Sequence, residues 1–221
     1  MNNKPSSVGK QNSSVGLVNL NGNLLCAIDT ETTGVEDGPS DLNVIEIVEL
    51  AVIPLDHNLE IHKGFPPFIT KLKPELLGPN DVRPPGMSEK KFMDYMMYGH
   101  SQYTASELFT EWFNKLNLGT NKKITPLAHN WPFDHKMLHS WLGPKNYNFI
   151  FHGFYRCTMG LANMLNDSAE LKLHDEVPYP KKGLGTLCSK YGVELVNAHT
   201  ASDDAMATAK VYKEMLKSIR A

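Results

Sequence analysis

Cysteine is scarce in this chain of 221 residues, which contains only 3: Cys26, Cys157 and Cys188. They are far apart and form no C-x-x-C pair, which argues against a disulfide framework and against a zinc ribbon. We therefore expect reduced thiols, with Cys26 in the core. Any bound metal should be held by carboxylates, and carboxylates prefer hard ions such as Mg²⁺ or Mn²⁺.

An excess of positive charge is also missing. Lys and Arg total 22 against 24 Asp and Glu, for a net charge of -2. The chain therefore has no sign of the broad basic field with which a protein binds duplex nucleic acid nonspecifically. A role on nucleic acid would have to come from a local site.

Long apolar runs are absent as well. No stretch approaches the ~20 residues needed to span a bilayer, and the N-terminus lacks the charged-then-apolar order of a signal peptide. We expect a soluble, intracellular (cytoplasmic) protein without a membrane partner. With 41% hydrophobic residues, the chain can bury one sizeable core.

The chain divides into a tail and one domain. Residues 1–21 are rich in Asn, Ser, Gly and Lys and show no apolar periodicity, so we predict a flexible N-terminal tail followed by a single domain over 22–221. Hydrophobic periodicity predicts strands at 24–29, 44–55, 59–72 and 124–128, the third antiparallel to the second. Helices are predicted at 88–98, 104–116, 134–142, 158–165, 184–191 and 201–219.

This order of elements, three strands and then alternating helix and strand, predicts an α/β domain with a mixed sheet. For the helix over 104–116, Thr104 is the predicted N-cap, with Glu107 completing a capping box. Its apolar face is predicted to contain Leu108, Trp112, Phe113 and Leu116. Active sites in such folds collect at the carboxyl ends of strands.

Two carboxylates stand at the end of the first predicted strand. Asp29 and Glu31 alternate with Thr30, so both acids can share one face while Thr30 points into the sheet. Two acids at a strand end can also be simply solvated. The Thr32-Thr33-Gly34 that follows offers a tight turn whose backbone N–H groups can approach a phosphate or sugar.

Two further polar clusters lie where a loop enters a helix. The first is His129-Asn130-Trp131-Pro132-Phe133-Asp134, and the second is His199-Thr200-Ala201-Ser202-Asp203-Asp204-Ala205. Each has an ordinary structural explanation, because acids are favoured in the first turn of a helix and Ser or Asp caps it. Taken singly, neither cluster decides between structure and chemistry.

Together the three clusters resemble, in order and wording, the motifs of the DEDDh branch of the DnaQ-like exonucleases, a family with an RNase H-like fold that includes polymerase proofreading subunits. The first matches the family's D-x-E-T-T-G, the second its H-N-x-x-F-D and the third its H-x-A-x-x-D-A. The stretch 85–88 also resembles a family segment, although Pro85 stands where the family has histidine.

The resemblance implies a set of functional residues. Asp29, Glu31, Asp134 and Asp204 are similar to the four acidic ligands of two Mg²⁺ or Mn²⁺ ions, and His199 is similar to the general base. Two such ions ionise a water and stabilise the leaving 3′-oxygen, and histidine as a residue type titrates close enough to neutrality to accept the proton. The residues implied to contact or support the terminal nucleotide are Thr32, Thr33, Gly34, Met87, Asn130 and Phe133, although an aromatic in the position of Phe133 also suits a core.

The function predicted on this basis is 3′-to-5′ hydrolysis of single-stranded DNA ends, with release of nucleoside monophosphates. RNA remains an alternative substrate, since contacts near the ribose 2′ position are not fixed by the sequence. A noncatalytic subunit that binds nucleic acid or a polymerase is the alternative from another class, and the presence of all five motif residues weighs against it. A polymerase or a replication or repair protein is the predicted partner type.

Three other patterns were weighed against this interpretation. His135 and His139 are four residues apart, but the glutamate of a zinc-protease H-E-x-x-H is missing. The Lys181-Lys182-Gly183 stretch follows no predicted strand and is interpreted as exposed loop. A cluster of methionines and tyrosines over 93–98 fits either the core or a contact surface.

Overall fold

Five strands and six helices make up the part of the chain that this computed structural model describes, residues 22–34, 45–76 and 87–219. The strands are β1 (Leu24–Thr32), β2 (Ile47–Pro54), β3 (Phe68–Lys71), β4 (Ile124–Ala128) and β5 (Arg156–Cys157). The helices are α1 (Glu89–Tyr98), α2 (Gln102–Leu116), α3 (Trp131–Ile150), α4 (Thr158–Leu171), α5 (Leu184–Tyr191) and α6 (Ala201–Ser218). The predicted tail over 1–21 lies outside the described residues.

The strands form one mixed sheet in the order β3-β2-β1-β4-β5. β1 pairs antiparallel with β2 and parallel with β4, and β2 pairs antiparallel with β3. The predicted α/β domain with a mixed sheet is confirmed. Because β1 and β4 run in parallel, their carboxyl ends lie at the same edge of the sheet, and both end in motif residues.

Alternation along β1 divides the core between the two faces of the sheet. Cys26 and Ile28 belong to an apolar cluster with residues of α2 and α3. Leu25 and Ala27 belong to another cluster, with the alanines of α6. Side chains at odd positions of β1 therefore face α6, and side chains at even positions face α3. Cys26 is buried, as predicted.

The start of α2 differs from the prediction. The N-cap is Ser101, whose side chain accepts a hydrogen bond from the Thr104 backbone N–H, so Thr104 lies inside the helix. The predicted apolar face is also shifted. Phe109 is fully buried, whereas Leu108 is 36% exposed. Serine is the better N-cap of the two residue types, and its bond to the Thr104 N–H starts the helix one turn earlier than predicted.

Other boundaries also moved. The strand predicted over 59–72 is limited to β3, because the segment before it turns at Leu59, which has a φ of 64°. Helix α3 extends beyond the predicted 134–142, with a kink at Gly143, where φ is 72°, followed by Pro144. The two-residue β5 was not predicted.

The methionine cluster on α1 lies at the surface. Met93, Met96 and Met97 are 48%, 41% and 61% exposed, whereas Tyr95 on the same helix is fully buried. Within the described ranges, no helix combines the length and the apolar character that crossing a membrane requires.

Candidate active site

Four acidic side chains meet at the edge of the sheet where β1 and β4 end. Asp29 and Glu31 are on β1, Asp134 is in the first turn of α3 and Asp204 is in the first turn of α6. The pKa of Asp29 is raised well above its usual value, mainly by burial and then by the negative charges of Asp134, Asp204 and Glu31. The three sequence clusters therefore form one acidic site.

Asp134 is the most deeply buried of these acids, at 3% exposure. Its Oδ1 accepts hydrogen bonds from the Thr30 backbone N–H at 3.0 Å and from the Thr30 hydroxyl at 2.7 Å. Beyond Ala27, β1 has no further paired residue on β4, so the Thr30 N–H can be taken up by the helix that follows β4. Burial raises the pKa of Asp134 to about 7, although the Thr30 bonds act in the opposite direction.

The two adjacent acids of the third cluster, Asp203 and Asp204, have different surroundings. Asp203 accepts hydrogen bonds from Asn197 Nδ2 at 2.9 Å and from the Thr200 hydroxyl at 3.1 Å, and so holds the loop before α6. Asp204 instead faces the acidic site, and burial raises its pKa. The N-cap of α6 is Thr200, and no side chain of the described residues makes a cap bond there, so the ordinary capping explanation applies to neither acid.

His199 lies in the loop that leads into α6, and its side chain is exposed. Its backbone N–H donates to Asp204 Oδ2 at 3.2 Å, and its φ of 68° is left-handed. Few non-glycine residues adopt this conformation, and it tends to persist where the surroundings enforce it. The loop therefore holds His199 in a defined position beside Asp204.

Three side chains are close enough together to bind one metal ion. They are Glu31, His199 and Asp204, and each offers one ligand atom within 4.8 Å of the others. Asp29 and Asp134 lie close enough to this cluster to interact electrostatically with its acids. Among the described residues, Asp204 Oδ1 is one of two buried side-chain atoms without a hydrogen-bond partner. A hard divalent ion takes oxygen ligands, so this unpaired oxygen beside other acids suits Mg²⁺ or Mn²⁺.

The residues predicted to contact the nucleotide after β1 have local partners. The Thr32 hydroxyl donates to the Gly34 carbonyl at 2.6 Å, and Thr33 is buried, with its Oγ1 accepting from the Glu46 backbone N–H at 3.0 Å. A Cβ added at Gly34 would lie 3.7 Å from Ile45 Cγ1, and the Gly34 backbone is not left-handed. The close approach of backbone N–H groups in this stretch to a phosphate or sugar stays a prediction.

The remaining predicted contact residues lie at the starts of two helices. Met87 precedes Ser88, the N-cap of α1, and is half-buried. Asn130 precedes α3, is exposed and has a φ of 61°, a conformation that Asn tolerates. Phe133 packs against the apolar cluster of α2 and α3, which favours a supporting role for it.

His129, in the same cluster, links the end of β4 to α4. Its Nδ1 lies 2.7 Å from the Thr158 hydroxyl, and burial lowers its pKa to about 4. A neutral imidazole in this position supports the framework of the site.

Three residues of the site were not found from the sequence: Lys91 and Tyr95 on α1, and Glu49 on β2. Lys91 Nζ lies 3.5 Å from Glu31 Oε2. The Tyr95 hydroxyl donates to Glu49 Oε2 at 3.0 Å, and Glu49 pairs with Glu31 across the sheet. Their helical or alternating spacing is that of any amphipathic element, so no signal in the sequence distinguishes them.

Comparison with known proteins places this geometry in a family. The family model RNase_T, described as an exonuclease, matches residues 26–212, a range that contains all four acids and His199. The DNA polymerase III PolC-type of Staphylococcus epidermidis is 25% identical over 206 residues, which is 91% of this chain and 12% of the polymerase. The chain thus spans about an eighth of that relative.

Solved structures share the fold. The nuclease domain of 3′hExo, a DEDDh family member bound to rAMP, has a TM-score of 0.59 at 21% identity, over 89% of this chain and 92% of that one. Exonuclease I of E. coli in complex with a dT13 oligonucleotide has a TM-score of 0.61 at 18% identity, over 86% of this chain and 40% of that one. With the RNase H-like fold and the family model in agreement, this chain belongs to the RNase_T exonuclease family and is a DnaQ-like exonuclease.

Proposed function

We propose that this exonuclease is metal-dependent and removes nucleotides one at a time from the 3′ end of single-stranded DNA. The observation that carries the proposal is the cluster of Glu31, His199 and Asp204 around an unpaired buried oxygen, with Asp29 and Asp134 beside it. This arrangement combines oxygen ligands for hard ions with an exposed imidazole. Phosphodiester hydrolysis needs both a metal site and a proton acceptor.

Each side chain has a proposed task. Asp29, Glu31, Asp134 and Asp204 would hold two Mg²⁺ or Mn²⁺ ions. When bound, such ions activate a water and stabilise charge on the leaving 3′-oxygen. His199 would accept the proton of that water, because its ring is exposed at the site and its backbone is tied to Asp204. Thr30 keeps Asp134 aimed at the acidic site through two hydrogen bonds.

The terminal nucleotide would contact the residues around the site edge. Thr32, Gly34 and Met87 are partly exposed and Asn130 is exposed, while Thr33 and Phe133 would act by supporting the backbone. A strand end that is already unpaired suits this edge, since each base can then be gripped without melting a duplex.

The choice of DNA over RNA is the finer part of the proposal. The PolC-type relatives favour DNA, and the Exonuclease I structure holds dT13. The 3′hExo nuclease domain was solved with rAMP, so RNA is the second candidate substrate. Distinguishing the two sugars depends on contacts at the 2′ position.

Partner dependence follows from the charge balance. With a net charge of -2, the chain would grip the strand weakly and dissociate often unless a polymerase or a replication or repair protein presents the end. The segment similar to PolC-type polymerases supports a polymerase as that partner. Highly processive digestion that is insensitive to salt would contradict this part of the proposal.

The first test measures shortening of 5′-labelled single-stranded DNA and RNA of equal sequence in Mg²⁺, Mn²⁺ or chelator. Wild type is compared with Asp29→Ala and His199→Ala, and with the control variants Asp167→Ala and His174→Ala at exposed positions. We expect a metal-dependent ladder that only the first two variants lose, and the faster strand identifies the preferred sugar. If pure wild type degrades neither strand, the noncatalytic binding alternative replaces this proposal.

A further inference from the structure

Helix α1 brings a positive charge to the edge of the acidic site. Lys91 Nζ lies 3.5 Å from Glu31 Oε2 and donates a hydrogen bond to the backbone carbonyl of His199. Lys91 is outside all three sequence clusters. One ammonium group thus contacts both a proposed metal ligand and the peptide that holds the proposed general base.

Lys91 lies over the ring of Tyr95, which is hydrogen-bonded to Glu49. Its Nζ lies 5.6 Å from the centre of the Tyr95 ring, one helical turn further along α1. Tyr95 is fully buried, and its hydroxyl donates to Glu49 Oε2 at 3.0 Å. A shift of this buried phenol would leave its own hydroxyl without an acceptor, which is costly. The pair therefore fixes α1, and with it Lys91, against β2.

Glu49 also lies near α6, the helix that carries Asp204. It lies opposite Glu31 in the sheet. Burial raises the pKa of its carboxyl group, and the backbone N–H of Ala201, the first residue of α6, acts in the opposite direction. The N-cap of α6, Thr200, provides no side-chain cap bond to the helix. The Glu49 carboxyl group on β2 thus lies near the start of α6, where a negative charge is favourable.

We propose that Lys91 is a positioning residue that holds the His199 loop against Glu31, on a base formed by Tyr95 and Glu49. The backbone of His199 is left-handed, and its N–H and C=O are bonded to Asp204 and Lys91 respectively. Without the Lys91 bond, the carbonyl group of His199 loses its link to the sheet edge. The inference rests on the proposed function, in which the imidazole of His199 accepts a proton.

The kinetic test compares Lys91→Met, Lys91→Arg and the control Lys90→Met, a neighbouring exposed lysine on the same helix. At saturating Mg²⁺ we expect Lys91→Met to lower kcat about 10–100-fold, the range typical of groups that orient catalytic residues, with KM for the oligonucleotide nearly unchanged. Lys91→Arg should recover most of kcat, and Lys90→Met should match wild type. A rise in KM with kcat retained would overturn the proposal, because it would make Lys91 a strand-binding residue.

A second measurement needs no catalysis. Amide hydrogen exchange of metal-free protein by NMR should show the His199 N–H exchanging about tenfold faster in Lys91→Met, while the amides of β1 stay protected. Tyr95→Phe, which removes only the hydroxyl, should change exchange in the same direction and less. Unaltered His199 exchange in a folded Lys91→Met protein overturns the inference.

The two measurements separate this inference from the proposed function. Wild type without nuclease activity but with Lys91-dependent protection of His199 would defeat the proposed function and retain the positioning contact. Active wild type with Lys91-independent exchange and kcat would do the reverse.

Discussion

The two halves of β1 make opposite uses of burial. From Leu24 to Ile28 every side chain is apolar and at most 7% exposed, so burial there is favourable without further partners. From Asp29 onward the strand carries two acids, and burial raises the pKa of Asp29 well above its usual value. The first half of the strand stabilises the fold, and the second half holds the carboxyl group of Asp29 where ionisation is unfavourable.

The same alternation of side chains between the two faces of the sheet orients both halves of β1. Odd positions face α6, so Leu25 and Ala27 pack on its alanines, and Asp29 and Glu31 face Asp204 at its start. Even positions face α3, so Ile28 packs there and Thr30 bonds Asp134. The apolar half of the strand thus sets the orientation of the acidic half.

The largest expected effect comes from an acid of the site. Asp204→Asn should lower nucleotide release at least ~10³-fold, because a lost ligand removes several kcal/mol of transition-state stabilisation. Its Oδ1 has no hydrogen-bond partner among the described residues, so thermal stability should not fall. Single-turnover assays and thermal melts check both, with Asp167→Asn as the control. A destabilised variant would mean that the acidic site also supports the fold.

The next effect belongs to the apolar half of β1. Leu25→Ala should lower the free energy of unfolding by about 2–5 kcal/mol, since Leu25 is 1% exposed and truncation leaves a cavity. The matched control is Leu171→Ala, an identical change at a side chain that is 86% exposed, for which a shift within about 0.5 kcal/mol is expected. Chemical denaturation measures both. Activity per folded molecule should survive in each, and its loss in Leu25→Ala would show that the two halves are not separable.

Asp134→Asn should stabilise the metal-free protein, and more so at high pH. The folded pKa of Asp134 is raised to about 7 by burial, whereas an unfolded Asp has a pKa near ~3.9. The stability tied to its protonated form is therefore complete below about pH 4 and is lost as pH rises through about 7.

Thermal melts in chelator at about pH 5 and about pH 8 test this difference. The advantage of Asp134→Asn over wild type should be larger at the higher pH, at roughly 2–4 °C for each kcal/mol. Added Mg²⁺ should raise the Tm of wild type and reverse the order. An advantage that is equal at both pH values would contradict the buried-charge account.

The smallest expected effect is at Thr30, the residue between the two acids of the second half. Thr30→Val keeps the shape but removes the 2.7 Å bond to Asp134 Oδ1, while the backbone N–H bond remains. We expect a loss of about 1–2 kcal/mol in unfolding free energy. Half-maximal activity should also need a several-fold higher Mg²⁺ concentration, because a proposed metal ligand is held less firmly. Thr30→Ser retains the hydroxyl and should restore the bond. Equal behaviour of the two variants would show that the hydroxyl bond has no role.

Elements that are bounded by strong local signals were predicted well. β4 and α5 match their predicted bounds, because apolar runs or helical periodicity end there at clear breakers such as Gly192. β3 was predicted too long and β5 was missed. The extent of an edge strand is decided by which neighbour it pairs with, and that information is not local.

The sequence by itself identified the motif residues, since their order and wording resemble those of a known family: Asp29, Glu31, Asp134, His199 and Asp204. It also determined that Asp29 and Glu31 share a face, because alternation along a strand is a local property. The roles of these residues remain proposals that the variants above address.

Only the tertiary structure decided how these residues are held. Lys91, Tyr95 and Glu49 come from a helix and a strand that are far from His199 in the chain, and Thr30 reaches Asp134 across 104 positions. Such contacts arise from the order β2-β1-β4 in the sheet and from the helices that pack on its edge. Spacing within one element is fixed by backbone geometry, whereas proximity between elements is fixed by packing, which no short stretch of sequence specifies.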